Sequence, residues 1–337
     1  MSNDFWQDHN FRLEPWGSDY EPPIDLSEEL SASKSEVDPT VETDDWRKLK
    51  PQKQPQLPDR LVFIDGCCRI DAALVGGSGN TVAYGAFGTV AAGAVVVDRT
   101  TSTATCSQLT IRRIIGFGGN QEAPLTRVGC PLGSKAELVY EPVESSSANN
   151  PQIRKAIVQN AMLTAEALLA VNVLSTDLNT LVIRDGRLSY SSPTFTLGYV
   201  KTMHKNYLGE ECAALLWELA PGERSPIFAI KDQKRPRWSW YVKSGSQICA
   251  NQLGYHALHG IVRLELFSDL PLETAQKIAD QTTYLIPEYA SHPCKDPRAP
   301  QNLTPVGALE RELGRRMGDA ALVKRRVQHF LASVGVV

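Results

Sequence analysis

Short apolar runs and segments of helical periodicity alternate along the chain, and this alternation predicts a domain of the α/β class. The first apolar run, LVFI, precedes Asp65, and strand-like segments follow at 81–97 and 107–115. The Gly-rich segments GGSGN and GFGGN punctuate this region, as is typical of turns next to strands. Three consecutive strands joined by such turns predict an antiparallel meander.

Helical periodicity dominates four later parts of the chain. A long helix is predicted at about 150–173, because apolar residues recur there at the spacing of one helix face. Further helices are predicted at 210–219, 272–284 and 306–332. Strand-like runs lie between the helices, at LVI before Asp185, 227–230, 238–242 and 261–267. The strand-strand-strand-helix-strand order matches a ribonuclease-H-like fold, so we expect a mixed sheet flanked by helices.

The first 57 residues differ in composition from the rest. Residues 1–56 hold 13 Asp/Glu and 6 Lys/Arg, a net charge of -7; the whole chain carries -3, so the remainder carries +4. The segment is rich in Ser and Thr and poor in apolar residues, so burial cannot offset its ordering entropy. KPQKQPQLP has the composition of a linker. We therefore predict an acidic, disordered leader and linker at 1–57 and a folded domain at 58–332.

Other features of the composition exclude several classes of protein. The seven cysteines form no CxxC pair, which disfavours a zinc site and favours reduced, buried thiols. No stretch approaches the ~20 apolar residues that span a bilayer, and the N-terminus lacks the pattern of a secretory signal. We therefore expect a cytoplasmic protein. The chain also lacks a P-loop, a GxGxxG after a strand and a GxSxG.

Two apolar runs end in the same dipeptide. LVFIDG carries Asp65 and LVIRDG carries Asp185, and each Asp is followed by Gly. Open α/β sheets usually carry their sites at the carboxyl ends of strands, and the Gly would let a substrate approach closely. Asp-Gly is also a common turn signal, so a plain turn is the alternative for each dipeptide.

A third acid, Glu166, lies at the edge of the apolar stripe of the long helix. From that edge its side chain could lean toward the sheet or stay in solvent. Three carboxylates from two strands and one helix would suit Mg²⁺ or Mn²⁺, because these ions favour hard oxygen ligands. Two such ions stabilise both the attacking water and the leaving oxygen of a phosphodiester.

Four motifs, taken in order along the chain, carry a family resemblance. They are LVFIDGCCRIDAALV; Glu166, 19 residues before Asp185; VIRDGRL followed by GYVKT; and DPRAPQNLTPVGALERELGRRMGD. The two Asp-Gly motifs, the helical Glu and the downstream Lys resemble those of the NurA family of DNA-end-processing nucleases. The last motif resembles the C-terminal part of bacterial members. The resemblance covers about residues 58–332.

The resemblance implies a metal-dependent DNA nuclease. Such a protein would act as a homodimer and would process DNA ends with a HerA-type hexameric translocase in repair or recombination. It implies that Asp65, Glu166 and Asp185 hold Mn²⁺ or Mg²⁺. It also implies that Lys201 neutralises the charge of the phosphate or of the transition state. A solvated lysine at a strand end is the alternative for Lys201.

One position departs from the family pattern. Many members have a functional His near the C-terminal region, whereas Asn302 stands at about that place here and His292 lies ten residues earlier. Asn302 could ligate a metal ion through its carbonyl oxygen, but an amide cannot act as a general base. The departure motivates an alternative function: a non-catalytic DNA-binding or translocase-docking subunit that retains the nuclease fold.

A basic and aromatic segment forms the last candidate. Trp238 and Trp240 lie on one predicted strand, directly after Arg237 and next to further Lys and Arg residues. Aromatic side chains beside cations suit single-stranded DNA, because bases stack on the rings while cations bind the phosphates. The alternative is a strand with one packed face, since Trp238 and Trp240 would point to the same side.

Overall fold

Twelve strands are present in the part of the chain that the computed structural model describes. That part comprises residues 12–13, 36–77, 82–130, 136–173, 179–201, 207–231, 235–245, 258–292, 294–295 and 299–334. The strands are β1 (Arg12–Leu13), β2 (Glu36–Asp38), β3 (Arg60–Gly76), β4 (Ala83–Asp98), β5 (Thr103–Phe117), β6 (Thr126–Val128), β7 (Leu138–Pro142), β8 (Thr180–Asp185), β9 (Thr196–Val200), β10 (Phe228–Lys231), β11 (Arg237–Lys243) and β12 (Ile261–Phe267).

Five α-helices accompany these strands within the same ranges. They are α1 (Ile153–Val173), α2 (Glu210–Ala214), α3 (Leu272–Tyr289), α4 (Thr304–Arg316) and α5 (Ala320–Val334). Single 3₁₀ turns lie at Leu215–Trp217 and Ala299–Gln301.

All twelve described strands belong to one mixed sheet. The order is β2-β10-β11-β12-β9-β8-β3-β4-β5-β7-β6, and β1 pairs with β3 outside this path. Strands β3, β4 and β5 form the predicted antiparallel meander. Strand β8 returns parallel to β3 after the crossover through α1, as parallel neighbours require. The predicted α/β class, with a mixed sheet flanked by helices, is confirmed.

The two faces of the sheet are covered by different helices. Along β3, Val62 and Ile64 pack with residues of α1. Leu61 and Phe63, which point to the opposite face, pack with residues of α3 and α4. Because side chains alternate between the faces of a strand, both faces must be apolar for a sheet covered on each side. This explains why LVFI is continuously apolar rather than alternating.

The predicted helix at 306–332 is instead two helices. Gly318 lies between α4 and α5 with φ +77°, a conformation that favours glycine and commonly ends helices. Asp319 then accepts a hydrogen bond from the Leu322 N–H through Oδ1, 2.7 Å away, as an N-terminal cap does. A Gly-Asp pair between two apolar stripes therefore ends one helix and begins the next.

The predicted disordered leader is wrong for residues 36–57. Strand β2 pairs with β10 at the edge of the sheet. Both Glu42 oxygens lie 2.8 Å from the Arg224 guanidinium, and the Trp46 ring lies 6.4 Å from that of Phe228. The segment extends an existing sheet, so it needs no core of its own, which the compositional argument did not consider. The rest of the leader, apart from β1, lies outside the described residues.

By length and apolar composition alone, helix α1 is long and apolar enough to cross a membrane. One side of it contributes buried residues such as Val158 and Leu169 to the packing against the sheet. Leu168 and Val171 on its outer side are exposed. The core helices of α/β domains meet the same two criteria, so they do not indicate a membrane span here.

Candidate metal centre

Three carboxylates meet where β8 ends. Asp65 lies on β3, Asp185 is the last residue of β8, and Glu310 lies on α4. One oxygen from each carboxylate lies within 4.8 Å of the other two. Asp65 is buried, Asp185 is half-buried and Glu310 is exposed, so the centre opens to solvent on the side of α4.

The register of the two parallel strands brings the aspartates together. Ile64 lies beside Arg184, so Asp65 and Asp185, the next residues of β3 and β8, are also neighbours. Because side chains alternate between the two faces along a strand, both aspartates point to the same face of the sheet. That face is the one that α4 covers. The register of β3 and β8 therefore places the two aspartates side by side.

Glu166 lies on the other side of β3. Gly66 points toward α1, and a Cβ added there would be 2.5 Å from Glu166 Oε1. Glu166 Oε2 accepts a hydrogen bond from Arg184 Nε at 2.7 Å, and both side chains are buried. Among the described residues, the acids that lie within 4.8 Å of one another include Glu310 rather than Glu166. A metal-binding role for Glu166 stays a prediction.

The charges of the centre repel one another in the absence of a cation. Burial raises the pKa of Asp65 to about 8, with further contributions from the charges of Asp185, Glu166 and Glu310. Burial also raises the pKa of Glu166, although Arg184 opposes that shift. A divalent cation between the carboxylates would remove this repulsion, so the donor set fits a metal ion.

Lys201 lies at the same place, directly after β9. Its Nζ is 2.5 Å from Asp185 Oδ2, and both side chains are largely shielded from solvent. The structure thus puts the predicted lysine in contact with one of the predicted acids. The alternative of an ordinary solvated lysine at a strand end is wrong, because the Lys201 side chain is largely shielded and paired with Asp185.

The backbone after Asp185 turns sharply. Gly186 has φ +92°, and its N–H donates to the Tyr199 carbonyl at 2.8 Å. The Tyr199 hydroxyl in turn donates to the Gln301 carbonyl at 2.8 Å. Burial, followed by the charge of Asp185, raises the pKa of Tyr199 well above its ordinary value, so the hydroxyl remains a donor. These contacts connect the Asp185 turn to the segment before α4.

Asn302, the residue at the place of the family's His, joins α3 to α4 through its backbone. Its N–H donates to the Ala299 carbonyl at 2.9 Å, and its carbonyl accepts the Ser291 N–H at 2.7 Å. His292 Nδ1 accepts the N–H of Cys294 at 3.2 Å. These contacts involve none of the carboxylates, so the metal-binding role of Asn302 stays a prediction.

The predicted DNA-binding strand is part of the interior. Trp240 is fully buried and its Nε1 donates to Thr282 Oγ1 of α3 at 3.0 Å. The half-buried Trp238 donates to the Leu270 carbonyl at 2.9 Å. Arg237, on the opposite face, is also buried. The interpretation as a base-stacking surface is therefore wrong, because β11 is a central strand whose tryptophans pack beneath α3.

Glu310 was not predicted from the sequence as a site residue. It lies beside Leu309 and four residues after Val306, at the edge of the buried stripe of α4. An acid at the edge of an apolar stripe was also the signal for Glu166, and amphipathic helices commonly carry such acids. Only the packing of α4 across β3 and β4 distinguishes Glu310 from the other acids.

No protein-family model matches the chain, and no curated protein matches it. The functional interpretation therefore depends on the geometry of the centre together with the resemblance of the short motifs.

Proposed function

We propose that this protein is a divalent-metal-dependent deoxyribonuclease. The observation that carries the proposal is the convergence of Asp65, Asp185 and Glu310, from two parallel strands and one helix, on one point at the carboxyl end of β8. The strand order around that point is also the reason for proposing a ribonuclease-H-like arrangement of the domain.

The distances suit a small, hard cation. Ligand oxygens around an octahedral ion with bonds of about 2.1 Å are about 3 Å apart when adjacent and about 4 Å apart when opposite. The three carboxylates already lie within 4.8 Å of one another, so small side-chain rotations bring them to these separations. Oxygen ligands of this type favour Mg²⁺ or Mn²⁺. When bound, the ion would stabilise the charge that develops on a phosphodiester during hydrolysis.

The position of each residue determines the role that we propose for it. Asp65, buried on β3, and Asp185, at the end of β8, would hold the ion from the sheet, and the exposed Glu310 would hold it from the helix side. Lys201, already 2.5 Å from Asp185, would offset the negative charge of an incoming phosphate.

The proposed partners come from the resemblance to the NurA family. They are DNA ends as substrate, a second copy of the chain as a homodimer, and a HerA-type hexameric translocase.

A cleavage assay with matched variants tests the proposal. End-labelled single- and double-stranded DNA is incubated with Mn²⁺ and the parent protein, Asp65→Asn, Asp185→Asn or Glu310→Gln. Each variant should lose at least ~100-fold in rate, because removal of a ligand weakens metal binding more than the loss of an outer-shell contact does. Glu312→Gln is the control: Glu312 lies on the same helix and forms ion pairs with the exposed Arg315 and Arg316.

Two results together would contradict the proposal. One is a parent protein that cuts no DNA even when the translocase is supplied, and the other is a melting temperature that millimolar Mn²⁺ does not raise. A true metal site stabilises the folded state by mass action, by about 2.7 kcal/mol at a hundred times the dissociation constant. If both of these results were obtained, they would favour the alternative function, a non-catalytic docking subunit.

A further inference from the structure

A buried ionic network lies beneath the segment that follows Asp185. It consists of Arg237 on β11 and Arg263 and Glu265 on β12, which are 2%, 3% and 0% exposed. Arg263 Nη1 lies 2.6 Å from Glu265 Oε2, and Arg237 Nε lies 3.7 Å from Glu265 Oε1. The network lies on the face of the sheet opposite to α3, whereas the tryptophans of β11 pack against α3.

The network binds both backbone polar groups of Leu188. Glu265 Oε1 accepts the Leu188 N–H at 2.7 Å. Arg237 Nη2 donates to the Leu188 carbonyl at 3.2 Å. Leu188 is three residues beyond Asp185, so these two bonds fix the chain immediately after the turn that carries the acid.

The neighbouring strand leaves space for this contact. A Cβ added to Gly198 of β9 would lie 2.8 Å from Glu265 Cγ, 3.0 Å from Leu188 Cγ and 3.3 Å from the Gly186 carbonyl oxygen. Gly198 is in an ordinary strand conformation, so space rather than backbone geometry requires glycine there. The glycine lets Glu265 and Leu188 meet across β9.

A further buried charge holds the same segment from the side of α1. Arg184 Nη1 donates to Ser192 Oγ at 3.0 Å and to Ser189 Oγ at 3.2 Å. The segment 186–192, which we call the Asp185 loop, is thus bound by three buried charged side chains.

The charge states in the network agree with this arrangement. Burial alone would raise the pKa of Glu265, but Arg263, Arg237 and the Leu188 N–H outweigh it and hold the pKa below its ordinary value. The carboxylate is therefore ionised and available as an acceptor. Buried ion pairs of this kind are often no more stabilising than apolar residues of similar size. Fold stability alone does not explain three charges at the centre of a sheet.

We propose that Glu265 and Arg237 are positioning residues that hold the Asp185 loop, and through it the Asp185 carboxylate, in the orientation needed to bind the metal ion. This inference rests on the proposed function. Both residues contact the backbone of Leu188, and through it they act on the segment that carries Asp185.

Mn²⁺ affinity, measured by isothermal titration calorimetry on the full chain, tests the proposal. Glu265→Gln, Arg237→Met and Gly198→Ala should each raise the dissociation constant about tenfold or more, the usual effect of losing an outer-shell contact. Glu42→Gln is the matched control. It disturbs another buried ion pair, with Arg224, whose further contacts are with Asp280 and the Ser225 carbonyl rather than with the Asp185 loop. Its Mn²⁺ affinity should stay within about twofold of the parent's.

The measurements distinguish a folding defect from a failure of the positioning role. Near-UV circular dichroism first shows which variants are folded. If Glu265→Gln does not fold, Arg237→Met and Gly198→Ala provide the test, because neither removes a charge from the Arg263–Glu265 pair. Folded variants that bind Mn²⁺ as tightly as the parent overturn the positioning role alone. A parent that binds no Mn²⁺ overturns the positioning role and, together with the absence of DNA cleavage, the proposed function as well.

Discussion

Arg184 and Asp185 are adjacent in sequence, and their side chains point to opposite faces of the sheet. Arg184 points toward α1 and pairs with Glu166, whereas Asp185 points toward α4 and meets Asp65 and Glu310. Since neighbouring residues in a strand alternate between faces, one dipeptide supplies both a buried ion pair and a candidate ligand. The two acids Glu166 and Glu310 should therefore respond differently to substitution.

Glu166→Gln should reduce stability, and Glu310→Gln should reduce metal binding. Removing the charge of Glu166 leaves Arg184 buried without its anion, a loss of about 3 kcal/mol in the free energy of unfolding. Glu310 is exposed, so its variant should unfold like the parent in chelator and lose the stabilisation by Mn²⁺. Urea unfolding with and without Mn²⁺ measures both. The reverse pattern would identify Glu166 as the ligand, as the family resemblance implies.

The buried Asp65 gives the metal-free protein a specific pH dependence. Its folded pKa of about 8 lies above the ordinary value of 3.8. The folded state therefore binds the extra proton, and this contribution to stability is complete below about pH 4 and lost as pH rises through 8. In chelator, raising the pH from 5 to 8 should destabilise the parent more than Asp65→Asn. Equal slopes in urea unfolding at several pH values would contradict this.

At the scale of elements, α4 is positioned by close packing over β4. A Cβ added to Gly93, the residue opposite Asp65, would lie 2.5 Å from Leu109 Cδ2 and 3.0 Å from Leu309 Cδ1. The absence of a side chain on β4 thus lets the helix that carries Glu310 approach the sheet. By contrast, a Cβ at Gly307, within α4 itself, would meet nothing within 4 Å.

Alanine at these two glycines should have opposite effects. Gly93→Ala should destabilise the protein by about 1–3 kcal/mol through overpacking and should weaken Mn²⁺ binding by moving α4. Gly307→Ala should stabilise it by about 0.5–1 kcal/mol, because alanine loses less conformational freedom in a helix. Urea unfolding gives both values. A Gly93→Ala protein as stable as Gly307→Ala would show that α4 is not held by this contact.

Many of the strands and helices could be predicted from local sequence. Features that depend on contacts between distant parts of the chain could not. The apolar run of β12 was predicted with its observed limits, 261–267, and Asp185 was identified as the end of a strand. The expectation that Asp65 also ends a strand was wrong, because β3 continues past it to Gly76 through its pairing with β4. Strands β6 and β7 were missed because TRV has an arginine at its centre and LVYEP ends in Glu-Pro, and neither pattern is typical of a buried strand. Glu310 was missed because no local signal says which side of α4 meets β3. The order of residues 36–57 depends on a partner strand, β10, far along the chain.

At the scale of the whole molecule, the sheet runs without interruption from β2 to β6 across the described residues. The segment before β3 is tied to the far end of this sheet by Glu42 and Arg224. The described part of the chain is therefore a single structural unit, and residues 36–57 should unfold together with it.

Glu42→Gln should lower the free energy of unfolding of the whole unit by about 1–3 kcal/mol, since it leaves part of the buried Arg224 guanidinium unsatisfied. The unfolding curve should remain a single transition. Circular dichroism and the fluorescence of the buried tryptophans should give the same midpoint. Separate midpoints, or an early step confined to residues 36–57, would show that the segment is an independent appendage.

The wide spacing of the three carboxylates along the chain also affects how the protein is made. Asp65 and Glu310 are separated by almost the whole folded domain, and Asp185 lies midway between them. A ribosome completes β3 and its meander long before it reaches α4, and contacts of such long range form late in folding. A nascent or truncated chain thus lacks the third carboxylate, so the centre becomes complete only after the last part of the domain has been synthesised. Under the proposed function, synthesis from the N-terminus would in this way keep an unfinished chain inactive.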